Sequence, residues 1–173
     1  LPEAQAAYFK AVELDGLYEP AQTALQGVTA QIIDMEFRAA MSTALNALQN
    51  QQPQLAEQAL NQASSLKPGE QVVVNARYEL EQLKQKLWLE DQRSKARTLE
   101  SKENWASAVN TYQAITSRVP QAAFARQGLE KAQDRARLHQ QLDHYLDEPG
   151  RVYSDQPRAN AEKLLASVGS PPA

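Results

Sequence analysis

The sequence predicts an all-α chain, an α-solenoid in which helical hairpins, each a long helix paired with a short one, stack in series. Three observations carry this. Gly and Pro leave long stretches unbroken, and those stretches are filled with Ala, Leu, Gln, Glu, Lys and Arg, the good helix formers. Apolar residues within them recur every three or four positions, the helical period. The pattern as a whole repeats after 52 residues, and self-similarity at a fixed period is the mark of a repeat array.

The elements follow in order. Leu1 to Lys10 already reads as helix, and the turn Asp15-Gly16 closes that segment. Gly27 to Pro53 holds no breaker, Gly69 to Pro120 holds none, and Pro120 to Pro149 holds only Gly128. Residues 19–50, 70–103 and 121–147 therefore each have room for a helix of about 30 residues, roughly 45 Å long at the α-helical rise. Short helices fit near 54–66 and 104–118. Val72, Val73 and Val74 form the one β-branched run, and just past Pro68-Gly69 they read as a first helical turn. Apolar stripes run through Leu25, Val28, Ile32, Met35 and Ala39; through Val73, Ala76, Leu80, Leu83 and Leu87; and, less regularly, through Leu129, Ala132, Ala136, Leu142, Tyr145 and Leu146. Core packing is the first reading of each stripe.

Residues 16, 68 and 120 (Gly, Pro, Pro) end the short segments 52 residues apart. Counting back, 4, 56 and 108 are all Ala; 8, 60 and 112 are Tyr, Leu and Tyr; 11, 63 and 115 are Ala, Ala and Ile. Counting forward, 24, 76 and 128 are Ala, Ala and Gly, and 28, 80 and 132 are Val, Leu and Ala. Columns 25/77/129 and 14/66/118 break the pattern with an Arg each. The chain thus reads as a single array over 1–173, with a partial unit 1–16 and units 17–68, 69–120 and 121–173. A lone hairpin cannot bury its apolar stripe, whereas stacked hairpins bury it on one another. A far half of each long helix, left over beside a short partner, is expected on neighbouring long helices or on another protein. Leu1 already lies within helical pattern with no leader before it, so the chain reads as a fragment of a longer protein.

Composition narrows function. The 173 residues contain no Cys, which excludes disulfides, thiolate zinc sites and thiol catalysis. Net charge is −3, so no positive field gathers nucleic-acid phosphates. No apolar run approaches the roughly 20 residues of a membrane span. Heavy Ala and Gln with few Lys is bacterial in character; cytoplasm, periplasm and cell envelope all stay open. His139 and His144 point about 140° apart on a helix and cannot share a metal by themselves. Glu90, Asp91, Arg93, Lys95 and Arg97, and then Lys131, Asp134, Arg135 and Arg137, are mixed-charge runs of the kind that face solvent. Neither a Gly-rich phosphate loop nor a G-x-S-x-G elbow occurs. No enzyme activity and no cofactor are expected.

The short helices resemble the second helix of the tetratricopeptide repeat: a small residue, an aromatic or Leu four on, a small residue three further, then Pro. Ala56, Leu60, Ala63 and Pro68 match in full. Ala108, Tyr112 and Pro120 match with Ile115 substituted. Ala4, Tyr8 and Ala11 match with Gly16 in place of Pro. Ala161, Leu165 and Val168 suggest a fourth copy, shifted by one residue and running into Pro171-Pro172. The family unit is about 34 residues, and here the first helix of each pair is the longer part. The resemblance implies a protein or peptide partner bound on an inner surface lined by first helices. Set on Ala24, Ala76 and Gly128, it places Leu25, Val73, Arg77 and Leu129 at groove positions; burial within the stack is the competing reading. The Lys and Asn of the family's carboxylate clamp are missing. Trp88, between Leu87 and Leu89, is the further candidate for partner contact, because three successive bulky residues face three directions and Trp is enriched at interfaces. The expected function is a non-enzymatic interaction scaffold. The alternatives are self-association into a homo-oligomer through the long helices, and an accessory helical region attached to an enzyme or to a membrane-anchored protein.

Overall fold

The computed structural model describes residues 1–147 and 155–168. Within them the chain consists of helices joined by short turns and holds no strand. Seven helices are seen there: α1 (Pro2–Leu14), α2 (Glu19–Gln49), α3 (Pro53–Leu66), α4 (Gln71–Ser101), α5 (Trp105–Arg118), α6 (Ala123–Asp147) and α7 (Asp155–Val168). The chain forms two compact units, Leu1–Leu87 and Trp88–Ala173, and the division falls inside α4.

The 52-residue period is written into the backbone. Each short helix ends on a residue of similar extended conformation: Asp15 (φ −139°), Lys67 (φ −136°) and Val119 (φ −132°). Each long helix opens with the same bond, from the N–H of Ala21 to Tyr18, of Val73 to Glu70 and of Ala125 to Ala122, at 3.1, 3.0 and 3.0 Å. α2 and α4 close alike too. Gln51 (φ 55°) and Glu103 (φ 54°) take the left-handed conformation. Around them Gln51 N–H donates to Leu48 O and Gln52 N–H to Ala47 O, while Glu103 N–H donates to Glu100 O and Asn104 N–H to Leu99 O. This pair of bonds satisfies carbonyls that a helix end otherwise leaves unpaired. The next residue begins the following short helix, and at Asn104 its side chain caps it by accepting from Ser107 N–H at 3.2 Å. Gln52, its counterpart, makes no such bond.

In the first unit the core joins Ala40, Met41, Ala44 and Ala47 of α2, Ala56, Ala59, Leu60 and Ala63 of α3, and Val73, Ala76 and Leu80 of α4. α1 packs on α2. In the second unit Ala96 of α4, Ala108, Tyr112 and Ile115 of α5, and Ala125 and Ala132 of α6 form the matching core, with Trp88, Leu99 and Leu129 partly buried against it. The far halves of α2 and α4 share a core with the short helix that follows and with the start of the next long helix. The α2 stripe is corrected: Met35 and Ala39 are exposed, because the second half of α2 turns Ala40, Ala44 and Ala47 toward the core it shares with α3 and α4. Alanine supplies 13 of the 20 buried hydrophobic residues among those described, so the helices approach closely and each contact has little spare volume.

α7 packs on α6. Its partly buried residues are Pro157, Ala161 and Leu164, whereas Leu165, expected as the bulky position of a fourth copy, is exposed. The side chains of Leu146 and Val168, and Pro171 and Pro172, lie outside the described residues.

Candidate docking surface

The bulky column of the repeat explains how a short helix is seated. In α5, Tyr112 is buried at 5% exposure. Its ring lies on Gly128 of α6, where a Cβ would come within 2.4–2.8 Å of ring carbons. Its hydroxyl donates to Glu100 Oε1 of α4 at 3.1 Å. Burial, with the Glu100 charge beside it, pushes the phenol up to about 12. The equivalent pair in the first unit is Leu60 with Ala76: the smaller side chain leaves room for the methyl that Gly128 lacks.

Charged contacts sit at the rims. Lys84 of α4 reaches Glu57 of α3 at 3.1 Å and Glu81 at 3.2 Å. The hydrogen bond to Glu57, then that to Glu81, holds its ammonium above the ordinary lysine value. Lys67 pairs with Asp34 of α2, and its ammonium lies 5.4 Å from the Phe37 ring centre. That hydrogen bond, then the Lys67 charge, lowers the Asp34 carboxyl. Both pairs are well exposed and orient helices more than they stabilise them.

The five residues expected to meet a partner fall in different settings. Val73 is 4% exposed inside the first core and has no surface to offer; its groove assignment is corrected, because the first turn of α4 lies directly on α3. Arg77 is half-buried and donates to Asn61 of α3 at 2.9 Å. Trp88 is partly buried, and the Arg118 guanidinium lies 4.5 Å from its ring centre. Leu129 is partly buried against the second core. Leu25 alone lines a cleft: about 550 Å³ between α1 and α2, shared with Phe9, Gln5 and Thr29. Gln5 Nε2 donates to Thr29 Oγ1 at 3.1 Å. Within the first unit, Leu25, Val73 and Arg77 do not line one groove.

On α1 and the turn after it, large apolar residues are exposed that the repeat analysis did not single out. Phe9 is 56% exposed and Leu17 is 90%, and Tyr8, Leu14 and Tyr18 are exposed with them. A signal was present in the repeat. Column 9 reads Phe, Asn, Gln and column 17 reads Leu, Gly, Gln through the three copies, so the first copy is apolar where the others are not. The bulky column shows the same contrast in burial: Tyr8 is 37% exposed, against 0% for Leu60. Large apolar side chains left exposed close together in sequence are candidates for partner contact.

The histidines form no metal site with their neighbours. His139 meets Trp105 edge to face at 6.4 Å and lies 3.8 Å from Glu103. Among the described residues no group of three or more His, Cys, Asp or Glu is placed to hold a metal ion. Within the same residues no helix is long and apolar enough to cross a membrane. Comparison of the chain with protein-family models, with curated proteins and with solved structures finds no match in any of the three.

Proposed function

We propose that this chain is a non-enzymatic docking module: a tetratricopeptide-like array of helical hairpins, stacked as an α-solenoid, that binds another protein. The observation that carries the reading is the 52-residue recurrence of the same helix ends and the same buried columns. Such an array is extensible and presents helix faces in series, which suits it to protein contact. The apolar exposure on α1 and beside it supports the same reading.

The test is site-specific photo-crosslinking in cells, with the photoreactive residue placed at Phe9 and, separately, at exposed Tyr78. The expected result is one defined partner, which then binds the purified chain saturably. Crosslinks from the chain only to itself, with a mass that rises with concentration in sedimentation, would overturn the proposal in favour of self-association.

A further inference from the structure

We infer that the cleft between α5 and α6 is a binding site for a primary ammonium group carried on an alkyl chain. The inference rests on the repeat itself and goes beyond the docking proposal, on which it does not depend.

The first copy shows what occupies this corner. There Lys84 of α4 reaches Glu57 of α3 at 3.1 Å and Glu81 at 3.2 Å. One period on, those three columns hold Ala136, Val109 and Gln133. The ammonium and both carboxylates are gone, and all three replacements line a cleft of about 850 Å³. The same corner is bridged by the chain's own cation in one copy and left open in the other.

The walls suit a cation brought from outside. Glu103 and Asp143 stand on them. His139 lies 3.8 Å from Glu103. The charge of Arg137, which also lines the cleft, is met by Asp134 at 3.1 Å. The start of α5 has little left to offer an anion, because the N–H groups of Trp105, Ser107 and Ala108 already donate to Glu103 O, Asn104 Oδ1 and Asn104 O. Val109 and Ala136 give apolar surface on which an alkyl stem can lie. Trp105 adds the aromatic ring that attracts cations best. Its indole N–H is buried without a partner, a state that native folds seldom leave without a reason. A lysine side chain and a free alkylamine share the required chemistry.

The test follows the Trp105 indole N–H by proton–nitrogen NMR in the intact 173-residue chain, with the signal assigned from Trp105→Phe. The probes are N-acetyl-lysine methylamide, pentylamine and, as the neutral control, N-acetyl-norleucine methylamide. Saturable shifts are expected from an amine and none from the control. Glu103→Gln and Asp143→Asn should each weaken binding about two- to five-fold, as loss of an exposed ionic contact does. Ala136→Lys returns the ammonium of the first copy and should abolish binding, with circular dichroism confirming that the helices persist. Tighter binding of the lysine amide makes a peptide-borne lysine the source, and tighter binding of pentylamine makes it a free amine. The inference is overturned if neither amine gives a saturable shift, if the norleucine control matches them, or if binding is unchanged in both carboxylate variants or in Ala136→Lys. Its failure leaves the docking proposal standing, and a failure of the crosslinking experiment leaves this site standing.

Discussion

Tyr112 and Gly128 are coupled by contact, and the coupling can be measured. Gly128→Ala puts a methyl into the Tyr112 ring, and the expected cost is about 1–3 kcal/mol, the usual range for overpacking a filled site. This outweighs the roughly 0.5–1 kcal/mol that Ala gains over Gly within a helix. Adding Tyr112→Leu recreates the Leu60–Ala76 pair, so urea denaturation should show the double variant more stable than the sum of the singles predicts. The same tyrosine makes stability sensitive to alkali. Its phenol titrates at about 12 in the fold, against 10.0 ordinarily. Its contribution is whole below pH 10 and is lost as pH rises from 10 through 12, because the unfolded chain releases that proton first. Thermal melts across this window should steepen their decline in the parent chain, and Tyr112→Phe should flatten it. If the two profiles run parallel, the burial of Tyr112 is not what links pH to folding.

At the scale of the element, the long-to-short corner is made twice from different residues. Asn104 caps α5, and Gln52 leaves α3 without a side-chain cap. Gln52→Asn should therefore raise the denaturation midpoint by the equivalent of about 0.5–2 kcal/mol, the ordinary value of such a cap, with the dependence on urea unchanged. Much of the helix layout was legible in the chain itself. Pro53, Pro68 and Pro120 lie at or next to short-helix ends, and the stretches poor in breakers became α2, α4 with α5, and α6, which spans Gly128. Two things were not legible. The left-handed residues at the ends of α2 and α4 are Gln51 and Glu103 rather than Gly, so the usual stop signal is absent. Nor did periodicity reveal which side of a 31-residue helix is covered, because the covering helix changes halfway along and the buried stripe changes with it. The exposed face of α1 was hidden for the opposite reason. Ala4, Tyr8 and Ala11 obey the same pattern as their buried counterparts, and a residue's place in a column does not say whether a neighbour is present to cover it.

At the scale of the whole molecule, the α-solenoid proposal can be separated from a closed bundle by solution scattering. A compact domain of 173 residues has a radius of gyration near 16 Å, to about an ångström. An open stack should measure clearly above that, and a value at the compact limit would favour the bundle. The repeat also shapes how the chain reaches this state. Gln5 and Thr29 are 24 residues apart, Glu57 and Lys84 27, and Glu100 and Tyr112 only 12. These closures join neighbouring helices, and local contacts of this kind favour fast folding. Nucleation is open to any corner, and a ribosome making this polypeptide releases completed hairpins one after another, each able to settle before the next has been synthesised.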